Sequence, residues 1–85
     1  MKVLKTWDEL SEVCEELCKK GNRWAKKYYK EAFNHTFLYC RGLRDKIIDS
    51  INMLEKLERS IKKQGYILDK YALLEDMLKK LNAES

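Results

Sequence analysis

Eighty-five residues, 45% hydrophobic and 38% charged, with no proline, three glycines and a net charge of +4, describe one small domain over residues 1–85, built on a single core. That apolar content excludes wholesale disorder, and without a long apolar run there is no candidate for a membrane span or a secretory leader, so no membrane partner and a cytoplasmic location are expected. Gly21, Gly42 and Gly65 are too scattered for a phosphate-binding loop, and His35 is the only histidine, so neither nucleotide chemistry nor a histidine proton relay is indicated and a non-enzymatic protein without cofactor is expected.

The first element is a helix over residues 7–20. Thr6 with Glu9 three residues on forms a capping box, Trp7, Leu10, Cys14 and Leu17 recur at helical spacing with Val13 and Cys18, and Lys19-Lys20-Gly21 supplies the stop. Asp8, Glu9, Glu12, Glu15 and Glu16 occupy the opposite side. Asn22 caps a second helix that ends near Arg41-Gly42, with an apolar stripe through Ala25, Tyr29, Ala32, Phe33 and Cys40. Its first half carries a cationic side, whereas Phe33, Phe37, Leu38, Tyr39 and Cys40 surround the second half with apolar groups. Such a helix is either the central one or part of a subunit interface, and the sequence favours a homodimer through Phe33, Phe37 and Leu38.

The third segment, residues 43–64, carries Leu43, Ile47, Ile51, Leu54, Leu57 and Ile61, with Glu55–Arg59 and Glu58–Lys62 as i,i+4 pairs. A break at Gly42 is expected; without it segments two and three would fuse into a rod about 60 Å long. A fourth helix starts at Tyr66 or Asp69, buries Ile67, Tyr71, Leu74, Leu78 and Leu81, and frays over residues 83–85. Short connections predict an all-α fold, a small antiparallel three- or four-helix bundle.

The densest chemical signal is Lys19, Lys20, Arg23, Lys26, Lys27 and Lys30, six cations with no acid among them and with Trp24, Tyr28 and Tyr29 interleaved. Most of these cations fall within about a 100° arc of the helix. Arg23, Trp24, Lys27, Tyr28 and Lys30 are the candidate contact residues, with cations for steering and aromatics for anchoring. The expected partner is a larger protein with an acidic or mixed surface, which this module would regulate; the alternative is nucleic acid, met by the same stripe. The competing structural account is that the acids of helix 1 neutralise the stripe from within.

Cys14 and Cys18 stand one turn apart, and His35 with Cys40 would complete a Cys3His zinc site, the basis of a weaker alternative, a zinc-stabilised hairpin. Since both helix 1 cysteines belong to the apolar stripe and His35 lies about 140° from Cys40 on a continuous helix, buried free thiols are expected.

Overall fold

The computed structural model describes residues 1–84. In chain order the elements are strand β1 (Lys2–Leu4), helices α1 (Trp7–Lys19), α2 (Arg23–Cys40) and α3 (Ile47–Ile61), a 3-10 turn (Lys62–Gln64), strand β2 (Tyr66–Leu68) and helix α4 (Lys70–Glu84). The chain is mostly helical, an all-α fold apart from one small strand pair.

Local chemistry sets the first two helices. The Thr6 hydroxyl accepts from the Glu9 backbone N–H at 3.2 Å while the Glu9 carboxylate reaches back to the Thr6 hydroxyl and the Lys5 N–H, both at 3.3 Å. At its other end α1 closes with Asn22 N–H on the Leu17 carbonyl (2.8 Å) and Gly21 N–H on that of Cys18 (3.1 Å), a Schellman turn that needs the left-handed backbone Gly21 provides at φ 109°. The same pair of bonds closes α2, from Leu43 N–H to Leu38 and from Gly42 N–H to Tyr39, with Gly42 at φ 76°. The second turn ends any continuous rod, and the longest axis of the molecule is 36 Å.

Helices α1, α3 and α4 all pack against α2, which makes it the central helix and accounts for its wide apolar circumference. Fully buried Ala25 and Ala32 let its neighbours approach closely. Against α3 the match runs in reverse order: Asn22 Nδ2 donates to the Ser60 carbonyl at 2.8 Å, and Thr36 meets Ser50 at 2.6 Å. Thr36 and Ser50 are fully buried polar residues inside an apolar layer. Thr36 donates to the Ala32 carbonyl at 2.7 Å, so the Ser50 hydroxyl is the donor to Thr36 and neither group is left unsatisfied.

Four sequence expectations need correction. The strands were not expected: β1 and β2 pair in parallel, Lys2 with Tyr66 through Leu4 with Leu68, and Glu58 accepts the outward Leu68 N–H at 2.8 Å. Residues 43–46 are not helical, and Leu43 is 70% exposed, because the Schellman turn directs the chain away from α2. Glu58 pairs with Lys70 at 3.7 Å rather than with Lys62, since β2 brings Lys70 back alongside α3.

The fourth correction concerns α4. Its start after Asp69, whose carboxylate accepts the Ala72 N–H at 3.0 Å, is one of the two expected, but it buries Leu73 and Met77 while Tyr71 and Leu78 stay exposed. Two bonds from α1 fix this rotation: Trp7 Nε1–H donates to the Leu73 carbonyl and Trp7 N–H to the Asp76 carboxylate, both at 2.9 Å. Ile67, in β2, lies outside the helical stripe altogether. The fraying expected over 83–85 is not seen at Ala83 and Glu84, and Ser85 lies outside the described residues.

Candidate functional site

The basic stripe is mounted from both sides. Asn22 caps α2, its Oδ1 accepting the Ala25 N–H at 3.2 Å, and its Nδ2 also bonds Gln64 Oε1 at 2.6 Å, fastening the start of α2 to the end of α3. With Ala25 turned fully inward, helical winding sends Arg23, Lys27 and Lys30 outward, and all three are exposed.

Trp24 is 45% exposed on this surface. Tyr28 stacks on it with ring centroids 5.8 Å apart and planes inclined by 19°. The Arg23 guanidinium and the Lys27 ammonium lie over the indole at 5.4 and 5.1 Å, and Lys56 reaches across from α3 to within 5.4 Å of the Tyr28 ring. The negative faces of the two rings hold the cations in place, so the aromatic pair and its surrounding charges form one organised ledge. Beside it a shallow depression of about 470 Å³ is lined by Lys20, Arg23, Lys63 and Trp24 among others, with no acidic residue.

The acids of α1 leave most of the stripe unneutralised. Lys26 meets Glu15 at 3.9 Å, with both side chains about half exposed, a pair of little energetic weight. Asp8 is engaged elsewhere, by Lys80 at 3.2 Å. Among the described residues Arg23, Lys27 and Lys30 have no ion-pair partner.

Phe33, Phe37 and Leu38 are half-buried. Phe33 stands edge-on to Trp7 at 5.3 Å and packs against Phe37 at 6.4 Å, and Arg41 covers the Phe37 ring at 5.5 Å. Much of the apolar surface that the sequence assigns to a subunit interface is thus used within the chain.

Cys14, Cys18, His35 and Cys40 are not gathered: among the described residues no three His, Cys, Asp or Glu side chains are placed to hold one metal ion. All three cysteines are free thiols. Burial pushes the Cys14 thiol from 9.0 up to about 12 and raises that of Cys40 as well. The thiolate is the reactive form, so a three-unit rise lowers its population about a thousandfold at pH 8. Cys14 is expected to be the slowest of the three to alkylate in the folded protein; mass-resolved labelling with iodoacetamide checks this, and labelling of Cys14 at the denatured rate would contradict it. The sign of the linkage follows. The unfolded thiol ionises near 9 while the folded one keeps its proton, so this contribution to stability is intact below pH 9 and is lost as pH rises toward about 12.

The sequence misses a second surface. Helices α3 and α4 both lie on α2 but leave a cleft between them, lined by Ile47, Ile51, Tyr71 and Leu74 and continuing past Leu78 toward Tyr39 and Cys40. The sequence places these side chains in core stripes, and their helical spacing is compatible with either place; the rotation of α4 decides it. No helix of the described residues is long and apolar enough to cross a membrane. Comparison with protein-family models, curated proteins and solved structures returned no match.

Proposed function

We propose that the chain is a non-enzymatic protein-interaction module of the cytoplasm, an antiparallel helical bundle around α2 that docks on the acidic or mixed surface of a larger protein and regulates it. The observation that carries this reading is the half-exposed Trp24, stacked on Tyr28 and held under Arg23 and Lys27 with no acid to neutralise them. An exposed, immobilised tryptophan within a cationic rim has the make-up of a binding hot spot: the ring loses little entropy on binding, and the cations steer an acidic partner into place. Protein is favoured over nucleic acid because the indole already has a tyrosine ring and two cationic groups over it, which reduces the ring face left for a stacking base. The reverse-order contacts between α2 and α3 support the antiparallel arrangement.

The test is capture of a partner from nuclease-treated host extract by the wild-type chain and by the triple variant Arg23→Glu, Lys27→Glu, Lys30→Glu. The variant should lose the partner, and with the purified partner its association rate should fall about tenfold or more. Its stability should change by about 0.5 kcal/mol per site or less, since these are surface changes. Binding that vanishes with nuclease, together with affinity for duplex DNA that falls log-linearly and steeply with salt, would assign the ledge to nucleic acid instead. A variant that keeps every partner would place the docking surface elsewhere.

A further inference from the structure

We propose that the depression beside the ledge seats a phosphomonoester, the phosphorylated side chain of the protein that docks there. This inference rests on the docking reading and narrows it: the acidic feature recognised is a phosphorylated segment, so docking follows the phosphorylation state of the partner.

Three cations from three segments line the depression: Lys20 just after α1, Arg23 at the start of α2 and Lys63 in the 3-10 turn that follows α3. All three are exposed, and among the described residues none has an ion-pair partner. No acid lines the depression. At this end of α1, Glu15 is engaged by Lys26 at 3.9 Å, and Glu16, one turn before Lys20, neither lines the depression nor forms an ion pair among the described residues. Lys19, Arg59 and Lys62, sequence neighbours of the lining residues, are further exposed cations. Like charges are thus held together without an internal counter-ion, which favours the arrival of an anion.

The floor is fixed before any ligand enters. Asn22 Nδ2 donates to the Ser60 carbonyl at 2.8 Å and to Gln64 Oε1 at 2.6 Å, and the Ser60 hydroxyl donates to the Leu57 carbonyl at 2.9 Å. These neutral groups tie the turn between α1 and α2 to the end of α3, so folding rather than binding brings the three cationic residues together.

The donor set suits a phosphomonoester better than a carboxylate. The phosphorylated side chain carries about −1.5 to −2 charges at pH 7 and three terminal oxygens, so each of the three cations finds an oxygen; a carboxylate, like a nucleic-acid phosphodiester, offers a single charge and two free oxygens. The Arg23 guanidinium lies over the Trp24 indole at 5.4 Å, and a guanidinium oriented by an aromatic face binds phosphate through two parallel N–H bonds. Trp24 also lines the depression and is 45% exposed. Its edge gives the residues flanking the phosphate an apolar surface to pack on, which favours a phosphorylated protein over free inorganic phosphate.

Blocked phosphoserine, acetylated and amidated, tests the proposal when titrated at constant ionic strength while the N–H signals of the wild-type chain are followed by two-dimensional NMR. The Trp24 indole and the Arg23 and Gln64 amides should shift, with a dissociation constant of about 1 to 10 mM for so small a probe. The Trp7 indole, bonded to the Leu73 carbonyl in the core, should not. Blocked glutamate and dimethyl phosphate, which stand for an acidic side chain and a nucleic-acid backbone, should bind about tenfold more weakly or less. Lys20→Gln with Lys63→Gln, both at exposed sites, should weaken phosphoserine binding about tenfold or more, whereas Lys30→Gln, on the stripe but outside the depression, should leave it unchanged. Absence of any shift up to about 50 mM, equal binding of blocked glutamate, or an equal loss in Lys30→Gln overturns the proposal, and dimethyl phosphate binding as tightly as phosphoserine gives the depression to nucleic acid instead. The two readings fail separately. A partner lost from the Arg23→Glu, Lys27→Glu, Lys30→Glu variant yet retained after phosphatase treatment overturns this inference alone; phosphoserine bound by the wild type while that variant keeps every partner leaves the phosphate site standing and overturns the docking reading.

Discussion

Replacing Trp7 by alanine is expected to cost about 3 to 5 kcal/mol. Trp7 is 1% exposed and ties three helices together. Its ring meets Tyr29 at 5.9 Å and Phe33 at 5.3 Å, both edge-on, its Nε1–H bonds the Leu73 carbonyl, and its own N–H opens α1 against the Asp76 carboxylate. Alanine keeps the last of these and loses the rest, opening a void where α1, α2 and α4 converge. A domain of this length has roughly 4 to 13 kcal/mol in all, so the variant should be marginal at room temperature. Urea unfolding followed by circular dichroism measures the loss; a change below about 1 kcal/mol would show that the neighbouring rings collapse into the space.

Leu54→Ala should cost about 2 to 5 kcal/mol, and Leu78→Ala no more than about 0.5 kcal/mol. The chemical change is identical. Leu54 has no exposed surface and is part of the core that α3 builds against α2, so its removal leaves a cavity; Leu78 is 46% exposed and its removal leaves none. Thermal melts of the two variants should separate clearly. Equal effects would mean that Leu78 is packed in the monomer and that the rotation of α4 is different.

That contrast shows what is legible in one sequence. The limits of α1 and α2 follow from local chemistry, Thr6 and Glu9 at one end, Gly21 and Gly42 at the stops, and local chemistry is written along the chain. The buried face of α4 is not local. Leu73–Met77 and Leu74–Leu78 are both apolar pairs at i,i+4, and the choice between them rests on hydrogen bonds from Trp7, far away in sequence. The strands are invisible for a related reason: three residues carry no alternation to read, and their partner is remote. The burial of Thr36 and Ser50 is not local either: each hydroxyl would be costly in the core alone, and only the other one makes burial tolerable. The cations and rings of the ledge are apparent from composition, whereas Lys56, contributed by α3, and the near absence of neutralising acids are products of the fold.

The strand pair also dictates an order of events. Leu4, completely buried beneath it, has its β-partner about 60 residues later in the chain. At synthesis rates of 5 to 20 residues per second, β1 leaves the site of synthesis roughly 3 to 13 s before β2 exists. Helices elongate and pair far faster than that, so α1 and α2 are able to settle on each other while Val3 and Leu4 have no ladder to join. The first residues are therefore the latch that closes late, and in a pulse-labelled nascent chain they should stay open to protease after α1 has become resistant.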